Sequence, residues 1–255
     1  MRGAGLGALA LAAALWTTAG AAPSSPALAP STVLARYQAA LAAQTPPRFA
    51  AYVYSVEQAG ATNLLETHRV YRSGADVRDE TIAVDGRRLP QPLVRMLTGR
   101  RDHYAVGVVA PRVSRYQFTY AGSKRIGERV EYRFHTIPFA AAAFAVDDVT
   151  IDGTSFLPRA IHFRTAGARA RGSGALTYGP VGGYWMIQTA TARATVADQE
   201  SREYITWSGY RFPSSLPPAT FSSSGGGGAP PGQSGPRVAP PAGAGASVEK
   251  PLPKR

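Results

Sequence analysis

The side chains best suited to chemistry in this sequence are four histidines, His68, His103, His135 and His162, and an aspartate pair, Asp147-Asp148, followed closely by Asp152. Each histidine falls in a different strand-like segment, and no two share the short spacing that metal sites use, so no metal is expected. A serine nucleophile would want a G-x-S-x-G elbow, and the sequence has none. Gly172-Ser173-Gly174 and Gly182-Gly183 read as turn glycines, not phosphate cradles. In a strand, Asp147 and Asp148 point to opposite faces, so turn chemistry and edge protection explain them better than an acid/base pair does. Cysteine is absent, which removes thiol chemistry and thiolate metal sites. The expectation is a protein that is not an enzyme and needs no cofactor.

What remains is the interleaving of charge and ring, clearest in RVEYRFH, Arg129 to His135. Nucleic-acid readers use basic residues for phosphates and rings for bases. The same alternation also describes any strand with one dry and one wet face. It recurs in RYQFTYAG, where Tyr116, Phe118 and Tyr120 share a side, so it follows from a sheet packed on one face. There is no RNP-like aromatic signature, helix-turn-helix or zinc knuckle, and nucleic acid is not expected as a partner.

The elements that must position these residues can be read along the chain. Ser31 to Ala43, STVLARYQAALAA, predicts a helix capped by Ser31 or Thr32, with Val33, Leu34, Tyr37, Ala40 and Leu41 at helical spacing. Thr45, Pro46 and Pro47 stop it. Strand signals follow, punctuated by Gly60, Ser73-Gly74 and Asp85-Gly86. Tyr52, Tyr54 and Val56 share one face of the first; Val130, Tyr132 and Phe134 share one face of RVEYRFH; Ile161 and Phe163 point inward while His162 and Arg164 point outward. HYAVGVVAP reads as a fully buried strand. Some nine to eleven strands are expected, at antiparallel spacing. Two segments depart from the pattern. Gly86 to Asp102, carrying Leu93, Val94, Met96 and Leu97 between prolines and arginines, reads as a short helix or ordered loop. Ile137 to Val146, IPFAAAAFAV, reads as an irregular apolar piece.

The two ends differ from the middle. Residues 1–21 have a basic Arg2, an apolar run from Leu6 to Trp16 and small residues with Ala19 and Ala21 at an A-x-A site, the anatomy of a secretory signal peptide. The run is short of the about 20 residues a helix needs to span a bilayer. Residues 222–255 are rich in Pro, Gly and Ser without aromatics, and read as a disordered tail that cannot offset the entropy of ordering. Residues 22–221 are then the folded domain. The chain carries a net charge of +12. With Arg2 gone with the signal, and Arg237, Lys250, Lys254, Arg255 and Glu249 with the tail, 23 basic and 15 acidic residues remain, a net of +8. Such a domain suits an anionic partner such as a lipid head-group surface or an acidic polymer. Export to the periplasm or extracellular envelope is expected, without a lipid anchor, because no cysteine stands at the cleavage point.

A strongly curved sheet wrapped around one amphipathic helix leaves a concave apolar surface suited to acyl chains; alternatively the rings simply form the core. The order of segments resembles the LolA/LolB-like superfamily, the bacterial periplasmic lipoprotein carriers together with the amino-terminal domain of the RseB/MucB regulators. The residues that carry the resemblance are the opening helix VLARYQAAL, the strand FAAYVYSVEQAG, the hairpin THRVYRSGADVRDETIAVDG, GERVEYRFHTI, VDDVTIDGTSFLPRAIHF with its Leu157-Pro158, and the closing YITWSGYRFPSSLPPATF. They span Thr32 to Phe221. The resemblance implies an incomplete antiparallel half-barrel closed by one or two helices, whose cavity takes lipid or lipoprotein acyl chains, with Gln91 to Thr98 matching a lid. The chain departs from it in lacking a lipobox cysteine and in its added tail. The cavity candidates are Tyr52, Tyr54, Val56, Tyr116, Phe118, Tyr120, Val130, Tyr132, Phe134, Ile161 and Phe163; the lid candidates are Leu93, Val94, Met96 and Leu97. The other expectation is an envelope scaffold with a filled core, binding an anionic polymer or a partner protein through its basic face and tail.

Overall fold

Strands with one apolar parity can only keep that parity dry by lying side by side, and this chain does so in a single sheet. The computed structural model describes residues 28–60, 63–99, 102–166, 170–196 and 199–222. In chain order it runs α1 (Pro30–Ala42), β1 (Phe49–Ala59), β2 (Leu64–Ser73), β3 (Asp76–Val84), β4 (Arg87–Leu97), α2 (Val106–Val109), β5 (Tyr116–Ile126), β6 (Arg129–Pro138), β7 (Phe144–Asp152), β8 (Pro158–Ala166), β9 (Ala170–Val181), β10 (Tyr184–Val196), β11 (Gln199–Arg211) and a 3-10 turn (Pro218–Phe221). The eleven strands form one curved antiparallel sheet in the order β4-β3-β2-β1-β11-β10-β9-β8-β7-β6-β5, not closed into a barrel. The chain thus starts in the middle of the sheet, winds out to one edge at β4, crosses through α2 to the other edge at β5, and winds back to β11 beside β1. The expected signal segment, residues 1–21, and all of the expected tail beyond Ser222 lie outside the described residues.

Three local expectations are corrected. The Gly86 to Asp102 segment, expected as a helix or loop, contains β4, paired with β3 from Val77↔Leu97 to Val84↔Arg87. Pro90 and Pro92 lack an N–H; they fall in the register break between Thr81↔Leu93 and Ala83↔Arg88, on a strand at the edge of the sheet, and both settings tolerate proline. Leu93 and Leu97 therefore share one face and Val94 and Met96 the other. Their arginine neighbours Arg87, Arg88 and Arg95 are exposed, which discourages edge-to-edge pairing. HYAVGVVAP, expected as a buried strand, is a turn leading into the four-residue α2, with Val106 and Val109 both buried one turn apart. A short apolar run does not reveal its own period. The opening helix begins at Pro30, a residue earlier than expected, and Ala29 at its N-cap makes no side-chain cap. Proline at the first helical position needs no N–H partner.

α1 lies on the inner face. Val33 and Tyr37 are fully buried, Tyr37 at 0% exposure. The Tyr37 ring meets Phe118 of β5 edge-on at 6.0 Å. Its hydroxyl donates to the Pro111 carbonyl at 2.7 Å, which ties α1 to the segment after α2. Arg36 stacks over Phe156 in the turn after β7. Beneath α1 the inner face is Tyr132, Phe134, Val146, Val149, Ile161, Phe163, Leu176 and Tyr178. Gly174 is required there: a Cβ would lie 2.6 Å from the Phe163 ring and 2.2 Å from the Thr191 carbonyl, so the ring covers the bare backbone of its cross-strand neighbour.

Candidate functional site

RVEYRFH falls as its alternation dictates. Tyr132 and Phe134 are buried inward, Val130 packs against the core, and Arg129, Arg133 and His135 are exposed. Ile161 and Phe163 are buried beside them. Tyr116 and Phe118 are partly buried, whereas Tyr120, on the β5 edge, remains 39% exposed with its ring against Phe134. Val56 is buried on β1, and Tyr52 and Tyr54 continue its face. All eleven cavity candidates thus belong to one inner face. The lid candidates lie on β4, Leu93 among them 46% exposed.

This face is divided. On the β5–β10 side it is apolar and closely filled. Phe134 keeps 1% of its surface, and a pocket between Phe144, Phe163, Leu176, Ala190 and Ile205 has only about 10 Å³. That is about the lower limit for a single water. On the β1–β4 side the same face sets a charged cluster among the buried Val56, Val70 and Val77. Tyr54 stacks on the His68 ring at 4.5 Å and 5°. His68 Nδ1 lies 2.9 Å from Asp79 Oδ1, and its Nε2 lies 3.2 Å from Glu66 Oε2. The Tyr54 hydroxyl donates to Asp79 Oδ2 at 2.9 Å, and the Thr81 hydroxyl is 3.4 Å from Nδ1. His68 is 3% exposed. Burial on its own would lower its pKa. The hydrogen bonds and charges of Asp79 and Glu66 outweigh that, and the pKa is raised above its ordinary value. With a carboxylate at each ring nitrogen, the doubly protonated ring satisfies both.

Further along the same side, Arg72 approaches Asp102 at 3.8 Å, and its buried Nε has no hydrogen-bond partner. Tyr52 packs against the Tyr210 ring nearby, and burial raises its phenol well above the ordinary range. The seam between the halves is aromatic. Tyr104 meets Trp207 edge-on at 5.0 Å, Trp207 lies 6.2 Å from Tyr54, and the Tyr178 hydroxyl donates to the Tyr104 carbonyl.

The outer face carries the remaining ion pairs. Arg69 and Arg78 both donate to buried Glu80, and Arg78 also donates to the Thr220 carbonyl, pinning the 3-10 turn onto β3. Asp147 and Asp148, expected on opposite faces, both meet outward cations. The register shifts between Val146 and Asp148, so Asp147 binds Arg164 while Asp148 binds Arg133 and His135. A bulge adds a residue and cancels the alternation. Asp152 organises the turn after β7, accepting from the Thr154 and Ser155 amides. Among the described residues, no group of three or more His, Asp or Glu side chains is placed to hold a metal ion.

The His68 cluster was missed in the sequence because neither parity of β2 is apolar: Glu66, His68 and Arg72 alternate with Leu65, Arg69 and Tyr71. The one usable signal lay in β3, where Asp79 shares the parity of Val77 and Thr81.

No family model matches the sequence, and no curated protein does. Among solved structures, the chain is similar to a LolA superfamily protein from Nitrosomonas europaea, at 13% identity over 77% of this chain and 98% of that one, with a TM-score of 0.40. A putative outer membrane lipoprotein-sorting protein domain from Vibrio parahaemolyticus is 14% identical over 75% and 96%, with a TM-score of 0.43. The Pseudomonas aeruginosa MucA/MucB complex is 14% identical over 69% and 92%, with a TM-score of 0.20. At these scores the likenesses carry no argument about function.

Proposed function

We propose that this chain is an exported envelope protein, not an enzyme, that holds an acyl chain of a lipid or lipoprotein against the inner face of its open sheet. One observation carries the reading: that face is itself divided, apolar under α1 and bearing the His68–Asp79–Glu66 cluster on β2 and β3, with the rings of Tyr54, Trp207 and Tyr104 at the join. An amphiphile has the same division, and amphipathic rings suit its boundary. The tail would replace α1 over Phe118, Phe134 and Phe163. The head group would face Arg72, whose Nε lacks a partner. The sequence resemblance to lipoprotein carriers points the same way, as does the signal-like start.

The energies are of one scale. α1 is held by buried Val33 and Tyr37 and by partly buried Leu34 and Leu41. Lifting it costs on the order of 5–9 kcal/mol, and a chain of ~16 carbons taken from water returns about 12 kcal/mol. The helix is then an exchangeable cover, and the closed interior is the resting state.

The experiment is a native mass spectrum of the freshly purified protein, with uptake of a fluorescent fatty-acyl probe. Co-purifying lipid, or saturable uptake competed by unlabelled lipid, is expected. A clean apo mass with no uptake sinks the reading. The narrow pocket of about 10 Å³ favours a second one, a scaffold with a filled core that meets an anionic polymer or partner protein through its basic face and tail.

A further inference from the structure

A folded chain buries its aromatics where it can, and the end of β6 with its connection to β7 does the reverse. Ile137 is 58% exposed and Phe139 is 66% exposed. The residues that follow, Ala140 to Ala143, are all exposed too. No charged or hydrogen-bonding side chain interrupts Ile137 to Ala143. The exposure is built in. The Phe139 amide donates to the Arg115 carbonyl, and the Ala143 carbonyl accepts from the Ala166 amide, both at 2.9 Å, so the tip is tied to the sheet at both ends. Exposed apolar side chains gathered at one place mark contact with something apolar.

The surroundings say what that is. Arg112 and Arg115 lie in the turn that leads into β5, directly beside the tip. Arg112 is exposed and reaches back to the Gly107 carbonyl, next to Val108, which is itself 54% exposed. An apolar, aromatic tip with arginines at its base matches an anionic bilayer surface, where rings and aliphatics enter the head-group boundary and guanidinium groups meet phosphate. A second copy of the chain fits less well. One seven-residue segment, the end of β6 and the loop after it, falls far short of the roughly 20–30 residues a side of a stable interface.

We propose that the Ile137–Ala143 tip, with Arg112 and Arg115 at its base, is a docking site for an anionic phospholipid bilayer. The site adjoins the cover of the inner face, since the same turn holds Tyr37 of α1 through the Pro111 carbonyl. The proposal rests on exposure and charge at the tip and stands whether or not the inner face takes an acyl chain.

The test is flotation of the full chain with vesicles of phosphatidylcholine alone and of phosphatidylcholine mixed with phosphatidylglycerol. Binding to the mixed vesicles, weakening from low to physiological salt, is expected. Phe139→Ser should reduce that binding roughly tenfold or more and leave the melting temperature and acyl-probe uptake unchanged. Arg112→Gln should reduce it by roughly fivefold. Phe139→Trp should show a blue-shifted, lipid-quenchable emission increment over the parent on adding mixed vesicles. If Phe139→Ser binds like the parent, or the added tryptophan stays in water, the bilayer is contacted elsewhere and the proposal fails. Absence of vesicle binding together with concentration-dependent association abolished by Phe139→Ser would assign the tip to a second copy instead.

Discussion

The β5–β10 and β1–β4 sides of the inner face belong to one sheet, yet they exclude water by different means. The first does it with volume. Phe118, Phe134, Phe163 and Tyr178 fill the space against α1, and nearly every inward atom is carbon. The second does it by pairing. His68 and Asp79 are taken out of water, with Glu66 half-buried beside them, only because each finds its counterpart at hydrogen-bond distance. Buried carbon needs only neighbours, whereas a buried charge needs a particular neighbour in a particular direction. The apolar side should therefore tolerate exchange of one filler for another, and the charged side should not.

The difference predicts a ranking. Phe134→Ala should remove packing that is already complete and cost about 4 kcal/mol by denaturant unfolding. A loss below about 2 kcal/mol would mean that the apolar side is looser than its burial indicates. Asp79→Ala should cost about 3 kcal/mol, because it takes the carboxylate away from both His68 Nδ1 and the Tyr54 hydroxyl. An Asp79→Ala variant as stable as the parent would show that the pairing only decorates the fold.

The third test uses pH. His68 has a folded pKa above its unfolded value of about 6.5, so the folded state binds the proton more tightly. Its contribution is fully present below about pH 6.5 and is lost as pH rises through the folded value. The melting temperature should decline over that interval, and His68→Gln should flatten the decline. An unchanged slope in His68→Gln would assign the proton elsewhere. The smallest effect is expected on the outer face. Arg133→Ala breaks an exposed pair with Asp148 and should stay within about half a kcal/mol of the parent. Arg133 and Phe134 are adjacent, so a large loss at Arg133 with a silent Phe134 would reverse the inside and outside of β6.

These residues also show what was legible beforehand. RVEYRFH revealed its dry parity because that parity is apolar, and Ser73-Gly74 and Asp85-Gly86 marked their hairpins because a tight turn needs those residue types. β2 revealed nothing comparable: both of its parities carry charge, and only pairing with Tyr54 on one side and with β3 on the other identifies which faces in. The prolines of β4 look like breaks, and only the pairing with β3 shows a strand that resumes on either side of them at the sheet's edge. α2 reads as a strand because so short an apolar run shows no period of its own.

The sequence by itself determined the class of fold, the helix that opens it, most strand positions and the inward set around Phe134, all of which follow from local propensity and a period of two. Only the tertiary structure decided that β4 and β5 are the open edges, that α1 fills the concavity, that His68 lies between two carboxylates, and that Phe139 stands out on a tied tip. Each of these depends on which distant segment lies opposite. Strand order and register, unlike alternation, are properties of pairs of segments, and no single segment carries them.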